Sequence, residues 1–134
     1  MHLGILNSNM SNDWVDARTA DQETRRRLDE FLSVLAHRRR RELLYHLERV
    51  EVTDVETLAS MISRAESEPD GATSDVEDRI RTNLVHVHLP KLEDTNAIEF
   101  DQRSEAVRCD GLPTPLERLL ETCQHVELEE PIDE

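Results

Sequence analysis

The sequence predicts a mainly α domain with a small β-hairpin, an α+β fold, on three observations. Apolar residues recur at helical spacing through consecutive segments between residues 21 and 89. Capping signals and a proline mark where those segments start and stop. Beyond "KLEDTN" the apolar period changes from 3.6 to 2, before one last helical run.

The first helix is expected over about 21–36, with Leu28, Phe31, Leu32 and Leu35 on one face. A second, about 38–50, repeats the pattern with Leu43, Leu44, Leu47 and Val50. "TDVE" opens the third as a capping box, Thr53 being the N-cap and Glu56 its reciprocal partner, with Val55, Leu58, Ala59 and Ile62 facing inward. A polar loop with Pro69 and Gly71 follows. "SDVE", with Ser74 and Glu77, opens a fourth helix whose inward residues are Val76, Ile80, Leu84 and Val87. Pro90 has no N–H to donate, so this helix should end or kink near Leu89. "AIEF" and "AVRC" read as two short strands around the polar tip "DQRSE". Pro113 and Pro115 introduce the final helix, with Leu116, Leu119, Leu120 and Cys123 on one side. The expected organisation is an N-terminal arm (1–20), a main domain (21–112), a C-terminal helix (113–125) and a disordered acidic tail (126–134). Three helices, a fourth after a loop and then a hairpin follow the order of a winged helix-turn-helix.

Charge bounds the partners. The chain has 134 residues, 30 of them acidic, and a formal net charge of −14; its basic residues are fifteen arginines and one lysine, Lys91. The acid is spread along the chain, as expected for a halophile with a heavily hydrated acidic surface, so it does not exclude a nucleic-acid partner. The balance is +1 over residues 1–50, −5 over 51–91 and −10 over 92–134, which directs any polyanion contact to the first two-thirds. No apolar stretch nears the ~18 residues of a membrane span, and no signal peptide is expected at the N-terminus. A soluble cytoplasmic protein without membrane contact is the expectation.

Specific stretches carry a resemblance. "VLAHRRRRELLYHL" resembles the opening of ArsR-type winged-helix regulators, where a leucine-alanine turn precedes an arginine-bearing helix. "VTDVETLASMI" resembles their first helix-turn-helix helix, and "VHVHLPKLEDTNAIEFD" the approach to their wing. More closely, "HLPKLEDTNAIEFD" with "RRRRELLYHL" resembles an uncharacterised winged-helix domain family abundant in haloarchaea. The likeness covers about residues 25–110. Asn96 stands where ArsR proteins usually carry glycine, a position asparagine also tolerates. The paired-cysteine motif of the metal-sensing members is absent, so metal sensing is not carried over.

The resemblance implies a non-enzymatic transcriptional regulator that binds double-stranded DNA. With the fourth helix as reader, Asp78, Thr82, Val85 and His86 lie opposite its apolar stripe, flanked by Arg79 and Arg81. Arginine can grip a guanine edge, and Thr82 or Val85 can meet a thymine methyl. Arg103 falls at the wing tip, and Arg38 and Arg41 are the outer members of the arginine run, placed to touch phosphate. Arg39 and Arg40 are expected to lay their stems over apolar surface, with Glu42 a partner for Arg38. In such regulators terminal helices commonly pair, so Leu116, Leu119 and Leu120 are the expected homodimer contacts. Asp75 and Asp78 favour a second reading, a protein–protein module without DNA affinity. No catalytic motif, phosphate loop or cofactor box is present. His86 and His88 point some 200° apart on a helix and do not share a metal, His88 being expected to cap or pack. Cys109 and Cys123 read as small core residues.

Overall fold

Apolar spacing sets the first two helices, and their neighbours decide which face is buried. A computed structural model describes residues 21–68, 71 and 73–128; the expected arm and residues 129–134 of the expected tail lie outside the described residues. Helix α1 covers residues 21–35 and α2 covers Arg38–Val50. In α1 the buried residues are Phe31, Val34 and Leu35, whereas Leu28 and Leu32 are 42% and 47% exposed. The expected face is therefore rotated. Residues 21–30 are all exposed, so only the last turn of α1 meets the body of the protein, and Val34 lies on that side. In α2, Leu43, Leu44 and Leu47 are buried as expected. Val50 is exposed, because the chain breaks from the helix at Glu51, whose N–H bonds Leu47 O at 2.9 Å.

Strand β1 (Val52–Asp54) occupies the position read as a capping box. Thr53 pairs with Val107 across the sheet, and Asp54 instead caps α3 (Val55–Glu66), its carboxylate accepting from Thr57 N at 2.7 Å. That backbone hydrogen bond holds the Asp54 carboxyl below its ordinary range. Val55, Leu58, Ala59 and Ile62 are buried on the expected face. The cap of α4 (Ser74–Asn83) shifts the other way, one residue earlier than expected, to Thr73, which accepts from Val76 N at 3.2 Å.

The fourth helix does not end at Leu89. It widens into a π-helical segment, Leu84–His88, and continues as α5 (Leu89–Asp94). Proline in a helix interior clashes with the carbonyl four residues back and gives no hydrogen bond. A π-turn just before Pro90, closed by Leu89 N–H on Leu84 O, accommodates both defects. The extra residue in that turn shifts the inward phase. Val87 emerges 47% exposed, His88 is buried in its place, and the expected outward Val85 packs partly against the core.

Helix α5 closes in a Schellman turn. Asn96 N–H bonds Glu93 O and Ala97 N–H bonds Leu92 O, both at 3.0 Å, with Asn96 at φ 63°. Strands β2 (Glu99–Asp101) and β3 (Ala106–Arg108) form the expected hairpin, Phe100 opposite Val107 with both side chains buried. β1 joins it, giving a three-stranded antiparallel sheet ordered β1-β3-β2. Helix α6 (Thr114–Leu128) runs three residues past its expected end, into the segment read as tail. It returns along α2, burying Leu116 and Leu120 completely in its own domain and Leu119 in part. Of the three expected dimer contacts, Leu116 and Leu120 are thus covered within their own domain, while Leu119 keeps part of its surface exposed. The molecule is mainly α with a small antiparallel sheet, consistent with a winged-helix fold.

Candidate nucleic-acid interface

Successive helical residues point about 100° apart, so four consecutive arginines at the start of α2 reach in four directions. Arg38 Nε donates to Glu42 at 3.0 Å, the partner expected from i,i+4 spacing. Arg39 grips Glu66 of α3 through Nε and Nη2 at 2.7 and 2.8 Å and donates Nη1 to Asn83 Oδ1 of α4 at 2.7 Å. Arg40 is itself buried. It donates Nε to His88 Nδ1 at 3.0 Å and Nη1 to Ser33 O of α1 at 3.1 Å. Arg41 grips Glu127 of α6 at 2.9 and 3.0 Å and bonds Leu35 O. Tyr45 adds its hydroxyl to Glu127 at 2.8 Å.

These pairs are charge-assisted and partly sheltered. The hydrogen bonds from Arg39 and Arg41 hold Glu66 and Glu127 below the usual carboxylate range and push both guanidinium pKa values further up. Burial, followed by the nearby positive groups Arg40 and His37, lowers His88 to about 4. The run is chiefly a set of interhelical struts. Arg41 is committed to Glu127, and of the two expected phosphate contacts Arg38 alone remains largely exposed.

On α4, Asp75, Arg79 and Thr82 fall on one exposed stripe, with His86 following in the π segment. Thr82 Oγ1 donates to Asp78 O at 3.1 Å, which leaves its methyl for outside contact. Arg81 turns from that stripe to the wing and pairs with Glu105. The wing turn is tightly bonded: Asp101 accepts from Arg103 N at 3.1 Å and Ser104 Oγ at 3.0 Å, while Glu105 N–H returns to Asp101 O at 2.7 Å. Arg103 is exposed at that turn. Arg79, Thr82, His86 and Arg103 therefore remain exposed, and Arg81 ties α4 to the β2–β3 turn.

Asn83, Glu105, His88 and Glu127 were missed as partners of the basic residues. Their separations of 24 to 86 residues in sequence carry no periodic signal. Among the described residues no group of three or more His, Cys, Asp or Glu is placed to hold a metal. Cys109 is buried and Cys123 partly buried, both as free thiols.

The family model described as "Domain of unknown function (DUF7344)" matches residues 32–108, from the last turn of α1 to the end of β3. No curated protein and no solved structure matches the chain.

Proposed function

The chain belongs to the DUF7344 family, and from that premise we propose that it is a non-enzymatic winged-helix regulator that binds double-stranded DNA. The observation that carries this reading is the Arg81–Glu105 tie, which fastens the wing turn to α4 while Arg79, Thr82 and His86 stay exposed. Arg79 supplies a planar donor pair suited to a guanine edge and Thr82 a methyl suited to thymine. Arg103 and Arg38 supply backbone contacts that position the protein. The acid-rich, lysine-poor composition supports a protein adapted to high salt, where counterion-release affinity is weak and base contacts must contribute more. Pairing of two copies would suit a palindromic site. With Leu116 and Leu120 buried in their own domain, it would need another surface.

Fluorescence anisotropy with duplex fragments selected from genomic DNA, in molar KCl, tests the proposal. Saturable binding is expected, with Arg79→Ala weakening it about tenfold or more. A folded protein that binds no fragment across the salt range refutes it. One observation favours a protein partner instead: Asp75 and Glu77 occupy the first turn of α4, and Asp78 is exposed just beyond. These carboxylates would repel phosphate and attract a basic surface. Capture of a basic partner, lost on Asp75→Asn with Asp78→Asn and with no DNA bound, would select that second reading.

A further inference from the structure

Helix α1 carries more exposed surface than its own domain has a use for. Every residue from Asp21 to Glu30 is exposed. The hydrogen bonds that join α1 to other described elements, donated by Arg40 to Ser33 O and by Arg41 to Leu35 O, both lie in its last turn. Ten residues therefore project from the body. A helix shorter than about 12–15 residues is marginal in water, so such a stretch depends on something packed along it. Leu28 and Leu32 stand one turn apart on its exposed side. Arg41 also grips Glu127, which brings the ends of α1 and α6 onto one guanidinium. Val126 and Leu128, on either side of Glu127, are the most exposed large apolar residues among the described ones. Four of the seven such residues, Leu28, Leu32, Val126 and Leu128, thus lie on α1 or at the adjoining end of α6. That concentration marks an interaction surface.

Charge selects the occupant. Residues 21–30 carry three arginines and four carboxylates, close to balance in a chain of net charge −14. Such a face neither draws a polyanion nor singles out a strongly basic surface. Its charges are instead arranged to match themselves. Arg25 and Asp29 stand one turn apart on the same flank of the leucine stripe. In an antiparallel pair of identical helices related by a two-fold axis, each contact occurs twice and like flanks meet. With the axis passing near Leu28, each Arg25 faces the partner's Asp29. Within its own helix Arg25 is paired with Asp21, both side chains being at least half exposed, and exchanging so open a pair costs little.

We propose that α1 is a self-association surface, which pairs antiparallel with α1 of a second copy of this chain through Leu28 and Leu32, with Val126 and Leu128 at its edge. It is the surface, other than the buried leucines of α6, through which two copies meet. The pairing requires no DNA, so it stands or falls apart from the proposed DNA binding.

Sedimentation equilibrium of the full chain in molar KCl, without DNA, tests the proposal. A reversible monomer–dimer equilibrium in the micromolar range is expected. Leu28→Glu combined with Leu32→Glu, both at exposed positions, should weaken it about a hundredfold or more while the core amides keep their NMR shifts. Single added cysteines read the orientation, in a Cys123→Ser background whose remaining thiol, Cys109, is buried. Leu28→Cys should cross-link two copies under mild oxidation. Asp21→Cys should not, because an antiparallel pair centred near Leu28 sets the two copies of position 21 roughly 20 Å apart. A folded chain that stays monomeric overturns the proposal, as does a dimer that survives the paired leucine substitution or cross-links equally at both positions. A chain that dimerises through α1 yet binds no duplex refutes the DNA reading alone; one that binds duplex and never dimerises refutes this one alone.

Discussion

His88 shows how much one side chain depends on its surroundings. By spacing it was an ordinary residue at a helix end; in the fold it is a buried neutral imidazole that accepts from Arg40. Its pKa of about 4 in the folded protein lies below its ordinary 6.5. Above the ordinary value both states are neutral and nothing changes. As pH falls through 6.5 toward 4 the unfolded chain takes the proton first, so stability drops, by at most about 3 kcal/mol. Denaturation at stepped pH should show that decline, and His88→Gln should flatten it. The losses at Glu66 and Glu127, whose pKa values are held low, come at lower pH and remain in the variant. Glu51 offers a second check. Its φ of 67° and ψ of −45° lie in a strained region for any side chain. Glu51→Gly should raise stability by about 1 kcal/mol, read as a higher urea midpoint at unchanged slope.

At the scale of elements, helix existence was legible and helix phase was not. Leu43, Leu44 and Leu47 of α2 and Leu58 and Ile62 of α3 stand where a 3.6-residue period puts them. Pro90 was legible as a defect, but its remedy was not. A kink and a π-turn both accommodate the ring and the carbonyl left without a donor, and only the packing of Leu89 and Leu92 into the core requires the helix to continue. The α3 cap moved by one residue for a similar reason: Thr53 is drawn into the sheet by its pairing with Val107, so Asp54 takes the cap. Helix α6 is held at its far end by Glu127, which serves Arg41 and Tyr45 together. Glu127→Gln should cost about 1–2 kcal/mol. In a double-mutant cycle with Arg41→Gln the two losses should fall short of additivity.

For the whole molecule, charge decides the conditions of stability. Thirty acidic residues against sixteen basic ones leave a self-repelling surface. Raising KCl from about 0.1 M shortens the Debye length from ~10 Å toward ~3 Å at 1 M and screens that repulsion. The thermal midpoint should therefore rise with salt, since the sheltered pairs Arg39–Glu66 and Arg41–Glu127 are screened less. A midpoint that falls steadily with KCl would show that surface attraction, not repulsion, governs this protein.

The amino-acid sequence by itself determined the order of helices and hairpin, most of the buried stripe and the left-handed turn at Asn96, because each follows from local periodicity or backbone sterics. The tertiary structure alone decided what the arginine run does. Four adjacent cations look like one patch in sequence, yet 100° of helical rotation sends each to a different partner, as far away as Glu127. It likewise decided which basic residues stay free. Arg79 and Arg103 remain exposed while Arg81 is held by Glu105, because ion pairing between distant segments depends on where the chain returns in space.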